Sequence, residues 1–373
     1  MIETIGRRIR EARKARGWSL DDLSRRAGIS VAQLSKLENG RATFRVPALM
    51  KLGKGLDRPV SYFVQADSEM PRCLGTLVPA SDAEFRAIDY FAELVSEKTG
   101  GQFTIAVFSA SQLGSAVGQI DGLMKGLIDM FVESLNFCES FAEPMRVASL
   151  PFCFDDDRHY ERFLQSSVFD EGVRQVLRSR SIGILNPEWN WKRGPYLVAV
   201  ARQPINRPED LQGLRVRCYE SDAMVRFLEA LGATAVVVPW GETYDAFATG
   251  EFDAMLTNFS HVVSMRFTRL APYVTVLDYR PLDLALAINA QKYDLLAPAL
   301  QTALHEAAVT AGERCSALVR QAEDELPKLL EEDGAVVMRV SVRPWREKSQ
   351  AIIRQLEQDG LWQDGLFDEI KQL

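Results

Sequence analysis

The chain has 373 residues, 47% of them hydrophobic, which is enough to bury two or three cores and excludes a disordered chain. It contains no run of 18 apolar residues, so we expect no membrane-spanning helix and no membrane partner. The formal net charge is −7, but residues 1–66 (the head) carry fourteen Lys and Arg against six Asp and Glu, a net of +8 that leaves −15 for the remainder. This asymmetry indicates a head that faces nucleic acid and an acidic body.

In the head, apolar residues recur at three- and four-residue steps, which predicts four or five short helices. Ser19 and Ser30 are good N-caps, and Gly28 and Gly40 can end the preceding helices. The stretch LSRRAGISVAQLSKLENGR therefore predicts two short helices joined by a sharp turn, as in a helix-turn-helix.

Residues 67–73 lack periodicity and contain a proline, so we expect a linker there, followed by a body at 74–373. Short β-rich runs then alternate with helical stretches, which predicts an α/β architecture with largely parallel sheets. The predicted strands are LGTLV, FTIAVF, IDMFV, SIGIL, LVAVA, LRVRC, TAVVV, AMLTN and VTVLD. A helical pattern of more than thirty residues follows near the C-terminus, and Pro327 is expected to kink or break it.

The five cysteines are odd in number and never form CxxC, which favours free thiols in a reducing compartment over zinc or disulfide bonds. The N-terminal sequence MIETIGRRIREARKARG is basic but lacks a following apolar region. We therefore expect a cytoplasmic protein with no metal and no cofactor. No HExxH, GxSxG or P-loop motif occurs, so we expect no enzymatic activity.

Polar side chains of the second helix of a helix-turn-helix enter the major groove of DNA. Gln can pair with adenine, and cationic side chains and the helix N-terminus can hold phosphates. The candidate DNA-binding residues are Ser30, Gln33, Ser35, Lys36, Arg41, Thr43, Arg25 and Arg26, with Arg7 and Arg10 as further phosphate candidates. A solvated basic surface is the alternative interpretation of these residues.

The head sequence from IGRRIREARK to PVSYFV resembles the XRE-type, lambda-repressor-like DNA-binding domain along its whole length, including the GWSL start of its second helix and the SKLENGR end of its third. This resemblance implies an all-α, five-helix domain that binds operator DNA as a dimer. We expect a homodimer or a dimer of dimers.

Five stretches of the body stand out in chain order: FAELVSEKTGGQFTIAVFSASQLGS, LIDMFVESLNF, LPFCFDDDRHYERFL, INRPEDLQGLRVRCYES and VVPWGETYDAFATGEFDAM. In this order they resemble the successive motifs of the solute-binding proteins of TRAP transporters, the DctP-type family, and the resemblance covers residues 74 to about 358. The resemblance implies a periplasmic-binding-protein-like body with two α/β lobes, crossing strands and a long hinge helix near the C-terminus, closing on a small organic acid.

Arg217 aligns with the carboxylate-binding arginine of this family, and its planar fork suits a bidentate carboxylate contact. A surface salt bridge is the alternative for an arginine at a strand end, and Arg215 shares the same strand face and could compete. Trp240 falls where the family has an aromatic residue in its cleft, although it could simply pack in a core. Glu133 and Asn136 follow a strand that borders the family's cleft, or belong to a solvated loop.

The sequence departs from the family pattern at several positions expected to line the pocket, including the one expected to bind a second anionic group of the ligand. Tyr196 stands where the family often has an arginine, and Arg193 either replaces that cation or leaves the contact absent. Thr257 and Asn258 replace the family's Asn and Pro, and Tyr219 replaces a common Pro. One carboxylate is better supported than two, and sugar acids, aromatic acids, amino-acid derivatives and sulfonates stay open.

Together these patterns predict a one-component transcriptional regulator, in which an organic acid closes the body and changes operator binding by the head. The alternative is a DNA-binding scaffold, whose body has lost its ligand pocket and serves dimerisation or partner binding. Whether a small acid needs Arg217 for binding distinguishes the two.

Overall fold

The computed structural model describes residues 2–56, 58, 60, 63, 71–193, 196–280 and 283–373. Within these residues, no helix combines the length and the apolar composition that crossing a lipid bilayer requires. The head and the two lobes of the body each have a hydrophobic core, and a smaller apolar cluster joins the head to the body.

The head is helical. Its helices are α1 (Ile2–Lys14), α2 (Leu20–Ala27), α3 (Val31–Glu38) and α4 (Val46–Leu56). Ser19 begins α2 with a capping box that involves Asp22, and Gly28 ends it in the left-handed region with a φ of 62°. Ser30 caps α3 by accepting a hydrogen bond from the Gln33 amide. The predicted helix-turn-helix is present, whereas the fifth helix falls mostly outside the described residues.

The first lobe has the strand order β2-β1-β3-β10-β4. Its strands are β1 (Arg72–Thr76), β2 (Ile105–Phe108), β3 (Met130–Ser134), β4 (Ile182–Ile184) and β10 (Leu284–Asn289). Its helices are α5 (Ala83–Lys98), α6 (Ala116–Met124), α7 (Glu143–Ala148), α8 (Asp157–Gln165), α9 (Ser167–Phe169), α10 (Gln175–Ser179) and α14 (Ala290–Asp294), with a π-turn at Asp170–Arg174 between α9 and α10 and a 3₁₀ turn at Leu135–Cys138. Strand β1 pairs in parallel with β2 and β3, while β10 is antiparallel to β3 and β4.

The second lobe has the strand order β11-β9-β5-β8-β6-β7. Its strands are β5 (Tyr196–Ala201), β6 (Arg215–Cys218), β7 (Thr234–Val237), β8 (Ala254–Thr257), β9 (Tyr273–Arg280) and β11 (Val336–Arg339). Its helices are α11 (Asp222–Ala230), α12 (Thr243–Ala248) and α13 (Phe259–Ser264), with 3₁₀ turns at Pro208–Leu211, Trp240–Glu242 and Phe267–Arg269. Strand β5 is antiparallel to β8 and β9, and the other pairs are parallel.

The chain passes between the lobes after β4, returns after β9, and passes again along the long helix α15 (Pro298–Glu332). Helix α15 packs on α5 in the first lobe and leads into β11 in the second. The C-terminal helices α16 (Arg343–Gln358) and α17 (Leu366–Lys371) then pack back onto the body. The predicted two-lobe α/β fold with a long hinge helix is thus confirmed.

Four details of the predicted elements need correction. The sheets are mixed rather than largely parallel, because β5 and β10 run against their neighbours. Strands β10 and β11 were not predicted. Helix α15 does not break at Pro327 but continues to Glu332. Strand β1 begins at Arg72, so the last two residues of the predicted linker belong to the sheet.

Candidate functional site

A cavity that is partly open to solvent lies between the two lobes. The first lobe contributes the ends of β1, β2 and β3 and the start of α6, and the second contributes β6 and the 3₁₀ turn after β7. Its lining residues are Leu77, Ser111, Ser115, Ala116, Glu133, Ser134, Asn136, Phe137, Arg193, Arg217, Tyr219, Glu220, Trp240 and His261. A cleft between two lobes that is lined by a few buried polar groups is a common place for a small-molecule site.

Arg217 forms part of the second-lobe wall of this cleft. It lies near the end of β6 and is 4% exposed. Its Nε and Nη2 donate hydrogen bonds of 2.9 and 2.7 Å to the carbonyl oxygen of Val238, and its Cζ lies 5.5 Å from the ring centroid of Trp240. This carbonyl fixes the orientation of the guanidinium on the second-lobe wall, and arginine is a common partner of anionic groups.

Arg193 belongs to a buried group that spans the lobes, which we call the ion cluster: Asp82, Glu84, Glu133, Arg193 and His261. The Nε of Arg193 lies 3.0 Å from Glu84, and its Nη1 donates to Glu133 and, at 3.0 Å, to the hydroxyl of Ser134. Two carboxylates therefore face one guanidinium. Through these contacts Arg193 binds the protein's own carboxylates while it lines the cavity.

Burial has the largest effect on the pKa values of Asp82, Glu84 and His261 in this cluster. It raises the pKa of Asp82 to about 6, against the opposing effect of Arg193, and raises that of Glu84 to about 7. Burial also lowers the pKa of His261 well below its usual range, with Arg193 and Arg217 adding to the effect. His261 is therefore neutral at physiological pH, and its Nε2 lies 3.6 Å from Asp82 and 3.4 Å from Nη2 of Arg193.

Asp82, Glu84 and His261 each present a ligand atom, and these atoms lie within 4.8 Å of one another. A metal ion at this position would meet the guanidinium of Arg193, which already bonds Glu84 and lies against His261. Two fixed positive charges in a buried site repel strongly, so this arrangement suits an ion-pair network better than a metal centre.

Two buried acceptors line the cavity without a hydrogen-bond partner among the described residues. They are Oδ1 of Asn136, in the turn after β3, and Oγ of Ser111, in the loop after β2. A buried acceptor left without a donor costs about 1 to 3 kcal/mol. A ligand with hydroxyl or amino hydrogens would satisfy both.

The structure brings five of the predicted ligand residues to this cavity: Arg217, Trp240, Glu133, Asn136 and Arg193. Glu133 lies within β3 rather than after it, and both it and Asn136 are buried, so the solvated-loop interpretation is wrong. Arg215 is exposed and bonds Asp253 through its Nε and Nη2, which removes it as a competitor for Arg217.

Thr257 and Asn258 lie behind the cavity instead of lining it. The hydroxyl of Thr257 is 3.3 Å from Nδ1 of His261, and Asn258 caps α13 by accepting a hydrogen bond from the His261 amide. Both residues therefore orient His261. The backbone of Tyr196 begins β5, but its side chain lies outside the described residues.

His261 and Ser111 were not singled out from the sequence. The ring of His261 lies against that of Trp240, 21 residues earlier in the chain, with the centroids 4.4 Å apart and the ring planes tilted by 38°. Ser111 lies in the motif FSASQLGS, directly after β2, where small polar residues at the end of a parallel strand were an available signal.

The helix-turn-helix presents a polar surface on α3 and the following turn. Gln33, Lys36, Arg41 and Thr43 are exposed, as is Ser30 at the start of α3, whereas Ser35 is half-buried. Exposed side chains on this helix and at its N-terminus have the placement that major-groove contacts require.

Other head arginines have partners within the protein. Arg25 bonds Asp22 at 2.6 Å, and the Cζ of Arg26 lies 4.3 Å from the centroid of the Trp18 ring. Arg10 contacts Glu38 and Asn39, and Arg7 contacts Glu11. Arg25 and Arg26 are exposed and can still reach a phosphate, whereas Arg10 is bonded to the end of α3.

Glu38, from the LENGR segment, has a structural function that the sequence did not reveal. Arg13 of α1 holds it in a buried bidentate salt bridge, with Nε and Nη2 at 2.6 and 2.7 Å from its two carboxylate oxygens. Arg13 also donates to the carbonyl of Trp18 at 2.7 Å. This bridge fixes α3 against α1 and so orients the exposed face of α3.

Two α/β lobes joined by crossing segments, with a polar cleft between them, define the class of solute-binding proteins. Residues 74–359 match the family described as bacterial extracellular solute-binding protein, family 7 (DctP), and the chain belongs to this family. Residues 9–63 match a helix-turn-helix domain, as the sequence predicted.

Two relatives whose names state a ligand align with most of the body. The 2,3-diketo-L-gulonate-binding periplasmic protein YiaO of Escherichia coli (strain K12) is 28% identical over 258 residues, which are 69% of this chain and 77% of the relative. The C4-dicarboxylate-binding periplasmic protein DctP of Rhodobacter capsulatus is 24% identical over 65% of this chain and 72% of its own length.

Solved structures show the same fold. A TRAP periplasmic solute-binding protein from Ochrobacterium anthropi with bound L-fuconate has a TM-score of 0.74 at 23% identity, covering 81% of this chain and 98% of that one. Another from Sulfitobacter sp. NAS-14.1, with bound β-D-galacturonate, has a TM-score of 0.72 at 22% identity, covering 82% and 100%. At these identities the likeness concerns the fold.

Proposed function

We propose that this chain is a cytoplasmic, one-component transcriptional regulator that binds operator DNA through its head and senses a small organic acid with its body. The observation that carries the proposal is the presence, in one chain, of a helix-turn-helix and a cleft whose wall holds a buried, oriented arginine. The five cysteines are free thiols, which supports a reducing compartment. No catalytic function enters the proposal, since the relatives are solute-binding proteins.

In this proposal α3 enters the major groove. Gln33 and Lys36 contact base edges or phosphates, Ser30 and the start of α3 hold a phosphate, and Arg41 and Thr43 contact the backbone beside the groove. Ser35, Arg25 and Arg26 complete the interface. A homodimer or a dimer of dimers would place two heads on a two-fold operator.

The ligand is a carboxylic acid with hydroxyl groups, such as a sugar acid. Its carboxylate pairs with Arg217 and packs against Trp240, while its hydroxyls donate to Asn136 and Ser111, the two buried acceptors that lack donors among the described residues. Arg193 already faces two carboxylates, so a second acidic group on the ligand is not required. Relatives and fold neighbours that bind diketogulonate, fuconate and galacturonate support this class.

Regulation follows from linkage. An acid that binds the closed body more tightly than the open body shifts the protein toward closure, and closure alters the placement of the heads. The change in operator affinity cannot exceed the difference in ligand affinity, typically about 1 to 3 kcal/mol.

The first experiment is native mass spectrometry of the purified protein, followed by thermal shift with D-glucuronate, D-galacturonate, L-fuconate, L-galactonate and aromatic acids. The variants are Arg217→Ala and a matched control, Arg215→Ala, which removes the exposed arginine two residues away on the same strand. We expect one acid to stabilise the wild type and Arg215→Ala but not Arg217→Ala. Equal binding by Arg217→Ala would overturn the assignment of the carboxylate site.

The second experiment selects duplexes from a random-sequence library and measures their affinity by fluorescence anisotropy with and without the acid. Gln33→Ala and Arg41→Ala should weaken binding, whereas Lys348→Ala, which removes an exposed lysine of α16 in the body, should not. Operator binding without any response to any acid would favour the scaffold function, in which the body only dimerises or binds a partner.

A further inference from the structure

The head contacts the body directly beside the ligand cleft. Val46, at the start of α4, is 3% exposed and packs with Leu113, Leu127 and Ile128 of the body in one apolar cluster. The amide of Val46 donates to the carbonyl oxygen of Leu113 at 3.3 Å. The side chain of Val46 also lies so close to α6 that a Cβ on Gly122 would come within 3.1 Å of it.

Leu113 belongs to a loop, residues 109–115, whose other side faces the cleft. Ser111 and Ser115 of this loop line the cavity, and Ser115 begins α6 as its N-cap. One short segment therefore contacts both the ligand site and the head.

The second lobe reaches the same loop. A Cβ on Gly241, the residue after Trp240, would lie 3.4 Å from the Cβ of Ser111. Gly241 and Ser111 thus meet across the cleft, at the edge of the cavity that Trp240 lines. Any opening of the lobes must separate Gly241 from Ser111, two residues from the head contact at Leu113.

The 109–115 loop is held in an unusual, well-bonded conformation. Ala110 and Ser111 have φ values of 48° and 60°, a region that non-glycine residues adopt at a cost of about 1 kcal/mol or more each. The Ala110 and Ser111 amides bond the carbonyls of Val78 and Thr76, and the Gly114 amide bonds the carbonyl of Ser111. A strained loop held by its surroundings can shift between two discrete arrangements when one neighbour leaves.

We propose that the 109–115 loop is the relay that reports lobe closure to the DNA-binding head, through contact of Gly241 with Ser111 and of Leu113 with Val46. This inference rests on the proposed function, because it states how occupancy of the cleft reaches the head. When the lobes meet, the loop is fixed and holds Val46; when they part, the loop relaxes and the head is repositioned.

The test locks the lobes without any ligand. In Ser111→Cys/Gly241→Cys the two Cβ atoms are close to the separation of a disulfide. The oxidised and reduced forms are compared by hydrogen exchange of peptides that contain residue 46, and by affinity for a duplex selected from a random library. Gly241→Cys alone, treated with the same oxidant, is the control.

We expect oxidation to slow exchange at residue 46 by roughly tenfold and to change DNA affinity by about fivefold or more, within the usual range of allosteric coupling. Leu113→Ala in the locked background should remove the DNA response. Leu127→Ala removes a similar side chain from the same apolar cluster, away from the loop, and should leave the response intact. Ala110→Gly, which relaxes the loop without deleting a contact, should weaken the response in a stable protein.

Unchanged exchange at residue 46 after oxidation would overturn the relay, as would equal loss of response in Leu127→Ala and Leu113→Ala. Failure of the proposed function is distinguishable. If the wild type binds no duplex, the proposed DNA-binding function is wrong. The exchange measurement at residue 46 still decides whether lobe closure reaches the head.

Discussion

The two regions of the cleft around Arg193 and Arg217 differ in what surrounds an equally buried arginine. Arg193 and Arg217 are 6% and 4% exposed, yet the first contacts two carboxylates and the second contacts a carbonyl oxygen and an aromatic ring. Burial is similar in the two cases, so the groups that each guanidinium contacts distinguish them. We propose that the region around Arg193 stabilises the body and that the region around Arg217 receives the ligand.

The largest effect is expected when Arg193 is removed from the ion cluster. Arg193→Ala leaves Glu84 and Glu133 buried without their cation, so we expect unfolding free energy to fall by about 4 kcal/mol in urea titrations. Arg193→Met combined with Glu84→Gln and Glu133→Gln removes the charges together and should recover most of this loss. An Arg193→Ala protein as stable as the wild type would show that the ion cluster does not stabilise the body.

The dependence of stability on pH tests the ion cluster a second time. Burial raises the pKa of Asp82 to about 6, so the folded protein binds this proton more tightly than the unfolded chain, whose Asp has a pKa near 3.8. The associated stability is present below about pH 4 and is lost as the pH rises through 6. Asp82→Asn lacks this titration and should gain up to roughly 3 kcal/mol relative to wild type between about pH 4 and 7. Parallel stability curves would contradict the assignment.

Arg217→Lys tests whether the opposite wall needs the fork or only the charge. Lysine keeps the positive charge but cannot make a bidentate contact, so affinity for the stabilising acid should fall about tenfold in calorimetric titrations, or about 1.4 kcal/mol. Arg215→Lys is the matched control and should bind like the wild type. Undiminished binding by Arg217→Lys would mean that only charge is recognised.

Asn136→Ala has the smallest expected effect and concerns selectivity. Loss of the buried acceptor should weaken binding of a hydroxylated acid by about fivefold, or about 1 kcal/mol, and leave a deoxy analogue little affected. Equal weakening of both acids would indicate a packing effect instead of a hydrogen bond.

The elements of the fold with a clear pattern were predictable from sequence. Capping residues and spacing located the head helices, and the interleaved strands indicated the α/β body. Strand β10 was not predicted because all six of its residues are buried, so its sequence shows no alternation of polar and apolar side chains. At Pro327 the sequence predicted a kink or a break, and the break is wrong because α15 continues to Glu332.

The site was predictable only where a motif marked it. Arg217 and Trp240 lie in segments that resemble the family, so their place at the cleft could be anticipated. The partners of Arg193 could not be, since Glu84 and Glu133 are 109 and 60 residues away in sequence. His261 reaches the cleft only because α13 packs beneath Trp240, which is a property of the assembled lobes.

Strand β10 has a consequence for the order in which the chain acquires its structure. It lies between β3 and β4 in the first-lobe sheet, yet the polypeptide reaches it only after most of the second lobe. The head has its own core within residues 5–63. During synthesis we therefore expect the head to fold long before the cleft can form, because the β3-β10 pairing spans a large sequence separation. A ribosome that stalls before residue 284 would therefore carry a folded helix-turn-helix head without a complete cleft.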